Sequence, residues 1–198
     1  MHTHAEVLIA DSIDVAPGAE FVEIENLPDS ILSFLLPSRY CESDQFSDLA
    51  RDISDGQFLG YNQVIAIENW LRNTIRCVKD SSEVQVSAIN VNARQWGVCR
   101  DLAHMGIALC RSLSIPARMV VGYLHGLQPM DFHAWFEAYV GGRWYSFDAT
   151  QTGNNRAYVA IGYGRDAADV AIYNQFGPSL YPYIQHVSVE RMNEPGLG

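Results

Sequence analysis

Positive charge is scarce in this chain. Thirteen lysines and arginines stand against 23 aspartates and glutamates, giving a net charge of −10 and a pI of about 4.9. A phosphate backbone demands a basic stripe that this balance does not supply, so nucleic acid is not an expected partner. The acidity itself serves solubility. Long apolar runs are missing as well. No stretch approaches the ~18 residues of a transmembrane helix, and no membrane partner is expected. The opening "MHTHAEVLIADS" lacks the basic segment and apolar core of a secretory signal, which points to the cytoplasm. Cysteine is sparse: Cys41, Cys77, Cys99 and Cys110 form no CxxC pair and no tight framework. Free thiols are the expectation in such a chain.

What is present suits a folded domain. Of 198 residues, 48% are hydrophobic, enough for a real core in a single domain spanning 1–198. Residues 1–33 read as a short appendage, strand-like over 1–25 where "EVLIA" and "EFVEIE" flank Pro17-Gly18. Ser43 and Asp44 predict a helix near 44–53. In 61–79, Val64, Ile67, Leu71, Ile75 and Val78 recur at helical spacing. A third helix is expected over 99–113, with Leu102, Gly106, Leu109 and Leu113 on its buried stripe and Pro116 barring continuation. The period then changes to two: "ARMVVGYL", "FHAWFEAYV", "RWYSFDAT" and "AYVAIGY" read as strands, with "YPYIQHVSVERM" as another in a C-terminal strand and tail over 177–198. Helices followed by antiparallel strands define an α+β fold.

The segment "WGVCRDLAHMGIALCRSL" poses the functional question. Cys99 and Cys110 lie eleven residues apart, roughly 16 Å along a helix, beyond the ~7 Å reach of a disulfide. Cys110 falls in the apolar stripe and reads as an inert buried thiol. His104 is turned about 140° from Cys99 on the same helix, so the two cannot share an ion; it reads as a satisfied structural histidine, and no metal site is expected. Cys99 itself sits where a helix begins. Unpaired first-turn N–H groups and the positive dipole end favour a thiolate and an oxyanion there. That placement alone leaves a small core residue as an equal reading; a base must be found.

His133 supplies one. "DFHAWFEAYVGGRWYSFDAT" reads as a β-hairpin turning on Gly141-Gly142. With a two-residue turn, paired numbers sum to 283, Trp135 faces Asp148, and Asp148 is the diagonal same-face neighbour of His133. A three-residue turn would send Asp148 to the opposite face. Phe132, Ala134, Phe136, Ala138 and Val140 take the other, core-facing side, leaving His133 and Asp148 toward a cleft. Cys99 as nucleophile, His133 as base and Asp148 as its orienter make a chemically complete set for acyl transfer through a thioester.

"WGVCRDLAH", "DFHAWFEAYVGGRWYSFDAT", "GRDAADVA" and "FLLPSRYCESD" together resemble the bacterial transglutaminase-like family of cysteine proteases. The resemblance covers about 34–176. It implies a papain-like core, a cysteine helix packed on an antiparallel sheet, and a triad at Cys99, His133 and Asp148. It implies hydrolysis of a peptide or amide, or transfer to a primary amine. A non-catalytic binding module on the same fold is the rival class. Animal relatives are calcium-regulated; no EF-hand-like loop is present here, and neither calcium nor another cofactor is expected. Further candidates are Gln95 and Trp96 as oxyanion donors, and Trp135, Arg165 and Asp166 at the cleft or behind it. Arg165 and Asp166 are expected to form a buried ion pair, and Arg100 and Asp101 local ion pairs or contacts at the helix start. Trp96, Trp135 and Tyr139 line a groove or belong to the core.

Overall fold

The computed structural model describes residues 3–10, 12–78, 85–153, 157–171 and 186–192. The helices come first: α1 (Asp29–Leu32), α2 (Ser47–Ser54) and α3 (Tyr61–Thr74), then the short strand β1 (Arg76–Cys77), α4 (Ala88–Arg94), the short strand β2 (Trp96–Gly97) and α5 (Cys99–Ser112). Four strands follow: β3 (Ala117–Leu124), β4 (His133–Val140), β5 (Arg143–Phe147) and β6 (Tyr158–Gly164). They form one antiparallel sheet in the order β5-β4-β3-β6. The α+β reading therefore holds, with the helices ahead of the sheet in the chain. Among the described residues no helix is long and apolar enough to cross a membrane.

The core lies between α5 and the sheet. Along α5 every residue from Asp101 to Arg111 is buried, more than a single stripe, because α2, α3 and α4 cover the sides that the sheet does not. Ala134, Phe136, Ala138 and Val140 of β4 all enter this core. Gly106 of α5 faces Phe136 so closely that a Cβ there would sit 2.6 Å from its ring. This close approach sets the distance between the helix and the strand. α5 stops where Ser114 adopts a left-handed φ of 58°, and Pro116 follows.

The hairpin has the expected register. Val140 pairs with Arg143 and Phe136 with Phe147. Gly141 and Gly142 have φ of 57° and 82°, the positive values that a two-residue turn of this hand demands. On the opposite flank of β4, Gly122 of β3 pairs with His133, and β6 carries an irregularity beside Gly122. A Cβ at Gly122 would meet the Val159 carbonyl oxygen at 2.0 Å, so glycine permits the approach of β6 behind His133.

Several boundaries differ from the sequence reading. Residues 1–25 form no strand among those described; Glu20 makes one isolated bridge to Gly60. The segment is instead tied down at Ala19 and Glu20, whose carbonyls accept the Tyr61 and Gly141 N–H groups at 2.9 and 2.7 Å. The second helix begins at Ser47, after a 3-10 turn over Ser43–Gln45. The third ends at Thr74, not 79, because Arg76–Cys77 pair in parallel with Trp96–Gly97. Val78 donates its N–H to Gly97 O at 2.8 Å, so its apolar side chain belongs to that pairing and not to a helical stripe. Residues 186–192 form no strand, and 181–185 lie outside the described residues.

Replacing Gly106 by alanine drives a methyl into the Phe136 ring. We expect a loss of about 1–3 kcal/mol, read as a lower urea midpoint with an unchanged slope.

Candidate active site

Cys99 is the first residue of α5 and is half-buried. Its helix start is braced by its neighbours. The Asp101 carboxylate, wholly buried, accepts the Val98 N–H at 3.2 Å and pairs with Arg94 at 2.6 Å and Arg100 at 3.0 Å. Arg100 and Asp101 thus make the helix-start contacts anticipated for them. The brace holds Val98 in place at the helix start without a capping hydroxyl.

His133 begins β4 and Asp148 follows β5. Both are buried, 3% exposed, and Asp148 lines a small depression together with Cys99 and Trp135. His133 Nε2 and Asp148 Oδ2 are 2.6 Å apart. The Cys99 thiol lies close enough to the imidazole to help hold its proton. With Nε2 committed to Asp148, Nδ1 is the nitrogen left for the thiol. Burial alone lowers the affinity of His133 for its proton. The hydrogen bonds to Asp148 and to Cys99, with the charges of both, reverse this and raise its pKa from 6.5 to about 10. Burial alone raises Asp148; the hydrogen bond and charge of His133, helped by Thr150 and Tyr158, hold it below its ordinary 3.8.

Four groups supporting Asp148 are not legible as such in the sequence. The Thr150 N–H and hydroxyl donate to Oδ1 at 2.9 and 2.7 Å. The Tyr158 hydroxyl donates to Oδ2 at 2.8 Å. From α3, Glu68 accepts the Asp148 N–H at 2.9 Å, and Arg72 donates to Asp148 O at 3.3 Å while pairing with Glu68 at 3.0 Å. Thr150 has a sequence signal, since an aspartate takes donors two residues on in a turn. Glu68 and Arg72, four apart on one helix, give only the weaker signal of an i,i+4 pair beside an apolar stripe.

The remaining candidates separate. Trp135 is 2% exposed and belongs to the buried layer, its ring 4.6 Å from Tyr158 and 6.2 Å from His133. Gln95 is corrected as an oxyanion donor. Its main-chain N–H goes to Val91 O at 2.9 Å and its side-chain amide to Asn92 O, so both donors are spent within α4. Trp96 is half-buried, with the Arg94 guanidinium 4.1 Å above its ring. The expected Arg165–Asp166 ion pair does not form. Arg165 pairs at the surface with Asp169 at 2.7 Å. Asp166, 1% exposed, accepts the N–H groups of Tyr40 and Ala168 at 2.8 and 2.7 Å. Tyr139 is half-buried against Trp144.

His104 is structural, as expected. Ala167 N–H donates to its Nε2 at 3.2 Å, so Nδ1 carries the proton and donates to Val86 O at 3.0 Å. Burial is the main cause that lowers its pKa from 6.5 to about 4, which keeps it neutral. Cys110 is fully buried, and burial pushes its thiol well above the ordinary range. Among the described residues no group of three His, Cys, Asp or Glu side chains is arranged to hold a metal ion. A cavity of about 260 Å³ lies elsewhere, between residues 9–14 and β5, and meets this cluster only at Tyr158.

With this geometry in view, known proteins can be compared. A model of the Transglutaminase-like superfamily matches residues 47–149. A crystal structure of "a Putative Cysteine Protease from Cytophaga hutchinsonii" is 40% identical, with a TM-score of 0.72 over 83% of this chain and 63% of that one. "Uncharacterized protein ML0607" of Mycobacterium leprae is 33% identical over 117 residues, 54% of this chain and 42% of that protein. The chain thus spans less than half of the curated relative it matches and just under two thirds of the solved structure.

The His133–Asp148 pair makes stability depend on pH in a stated direction. The raised His133 contributes fully below about 6.5 and loses its contribution as pH climbs through about 10. The depressed Asp148 contributes fully above 3.8 and loses it as pH falls. The Tm gap between wild type and Asp148→Asn is therefore widest between about pH 4 and 6.5, and it narrows toward pH 10. Thermal melts across this range test the assignment; a gap that widens above pH 8 contradicts it.

Proposed function

We propose that this chain, which belongs to the Transglutaminase-like superfamily, transfers the acyl group of a peptide or amide carbonyl to Cys99. The observation that carries the reading is one imidazole bonded to a buried carboxylate at 2.6 Å and set near a thiol at a helix start. Cys99 Sγ attacks the carbonyl carbon, forming the S–C bond of a thioester as the C–N bond breaks. The thiol proton passes to His133 Nδ1 and from there to the departing nitrogen. Asp148 stays ionised, orients the ring and stabilises its cation. The main-chain N–H of Cys99 is our candidate oxyanion donor, with Trp96 as a further candidate.

Water completes the reaction in the reading we favour, which makes the protein a cysteine peptidase or amidase. Water needs no dedicated amine site. The printed name of the 40% identical Cytophaga structure agrees with this choice. Transfer to a primary amine is the alternative ending of the same thioester. The substrate in this reading is a peptide or protein.

Three measurements test this. A burst of p-nitrophenolate from p-nitrophenyl acetate, absent in Cys99→Ala, reports acylation of the thiol; no burst in the wild type returns the fold to a binding role. Asp148→Asn lowers kcat by roughly a thousandfold or more, because the imidazole loses its orienter. With a glutamine peptide and a labelled primary amine, hydrolysis is expected to exceed incorporation, and the opposite ratio makes the protein a transglutaminase.

A further inference from the structure

The two oxygens of the Asp148 carboxylate take their donors from different places. Oδ1 is engaged locally by Thr150 at 2.9 and 2.7 Å. Oδ2 accepts His133 Nε2 at 2.6 Å and the Tyr158 hydroxyl at 2.8 Å. The phenol and the imidazole therefore compete for one oxygen. Tyr158 is well placed to hold this position. Its ring lies 4.6 Å from Trp135 and stands nearly parallel to His133, at 16° and 6.3 Å.

We propose that Tyr158 is a positioning residue for acyl transfer: by sharing Asp148 Oδ2 with the imidazole, its hydroxyl limits how tightly the carboxylate holds protonated His133. The reaction it serves is the one proposed above, whereas the competition for Oδ2 stands on geometry alone. A carboxylate that accepts a second donor on the same oxygen has less charge to offer the first. An imidazolium held too firmly is a poor acid, and a general acid works best with its proton affinity near the working pH. The leaving amine needs that proton.

The other groups around the pair do different work. From α3, Glu68 and Arg72 engage the main chain of Asp148 and each other, not its carboxylate. From α5, Cys99 meets the ring of His133. Thr150 stays on Oδ1. Removing the phenol therefore changes the load on Oδ2 while leaving His133, Thr150 and the ring stack in place.

Tyr158→Phe deletes the hydroxyl and keeps the ring. The His133 titration, followed by NMR in wild type and variant, is expected to rise by about one pH unit. Turnover of a glutamine peptide, read by ammonia release, is expected to fall roughly tenfold in kcat with KM unchanged. Acylation by p-nitrophenyl acetate, whose leaving anion needs no proton, is expected to stay within about twofold. A tyrosine that merely props up Asp148 predicts otherwise: its loss frees the carboxylate, drops the His133 titration toward 6.5 and slows both probes. An unchanged or falling titration overturns the proposal. The titration needs no substrate, so it decides the competition for Oδ2 by itself. A wild-type protein that acylates with neither probe overturns the acyl-transfer reading, and with it the task assigned to Tyr158.

Discussion

The buried hydrogen bond between His133 and Asp148 is the constraint around which this structure is organised. Both side chains are 3% exposed and 2.6 Å apart. Taking an imidazolium and a carboxylate out of water costs several kcal/mol for each ion, and their mutual attraction offsets this only when the geometry is good and the leftover lone pairs are satisfied. The surroundings meet that demand. Thr150 and Tyr158 satisfy the carboxylate, while Glu68 and Arg72 fix its main chain. At the start of α5, Asp101 does the corresponding work for the helix that carries Cys99.

These supports connect three parts of the chain that are far apart in sequence. α3 grips Asp148 from behind, β6 reaches it through Tyr158, and α5 brings Cys99 to the same imidazole. The close approach of Gly106 to Phe136 places α5 against β4, and Gly122 admits β6 behind His133. Small residues thus stand where the backbone must come near, and the polar groups converge at the end of the sheet where the strands leave room for them. The chemistry and the packing share the same elements, so a change in helix–sheet distance is also a change at the thiol.

Much of this was legible from residues alone. The Gly141-Gly142 turn determined hairpin parity, and parity brought Asp148 to the face of His133. Pro116 and the change of period from helical to two-residue marked the passage from α5 to the sheet. The errors have physical causes. The apolar spacing over 61–79 runs past the helix end at Thr74 because Val78 continues a pattern that the β1–β2 pairing interrupts. Arg165 and Asp166 do not pair because each has another partner, Asp169 at the surface and the Tyr40 N–H in the interior. Gln95 had the right chemistry, but its donors were consumed by the end of its own helix.

By itself the sequence determined the helices over 61–74 and 99–112, the four strands of the sheet, and the register of one hairpin that brings His133 and Asp148 to the same face. Those features depend on local periodicity, turn stereochemistry and helix direction, all of which act over a few residues. Tertiary structure alone decided that His133 and Asp148 are buried, that Nε2 faces Asp148 and so leaves Nδ1 to Cys99, and that Glu68, Arg72 and Tyr158 complete the setting. Those features depend on hydrogen bonds between groups 10 to 80 residues apart, and no periodicity along the chain records where such distant donors and acceptors will meet.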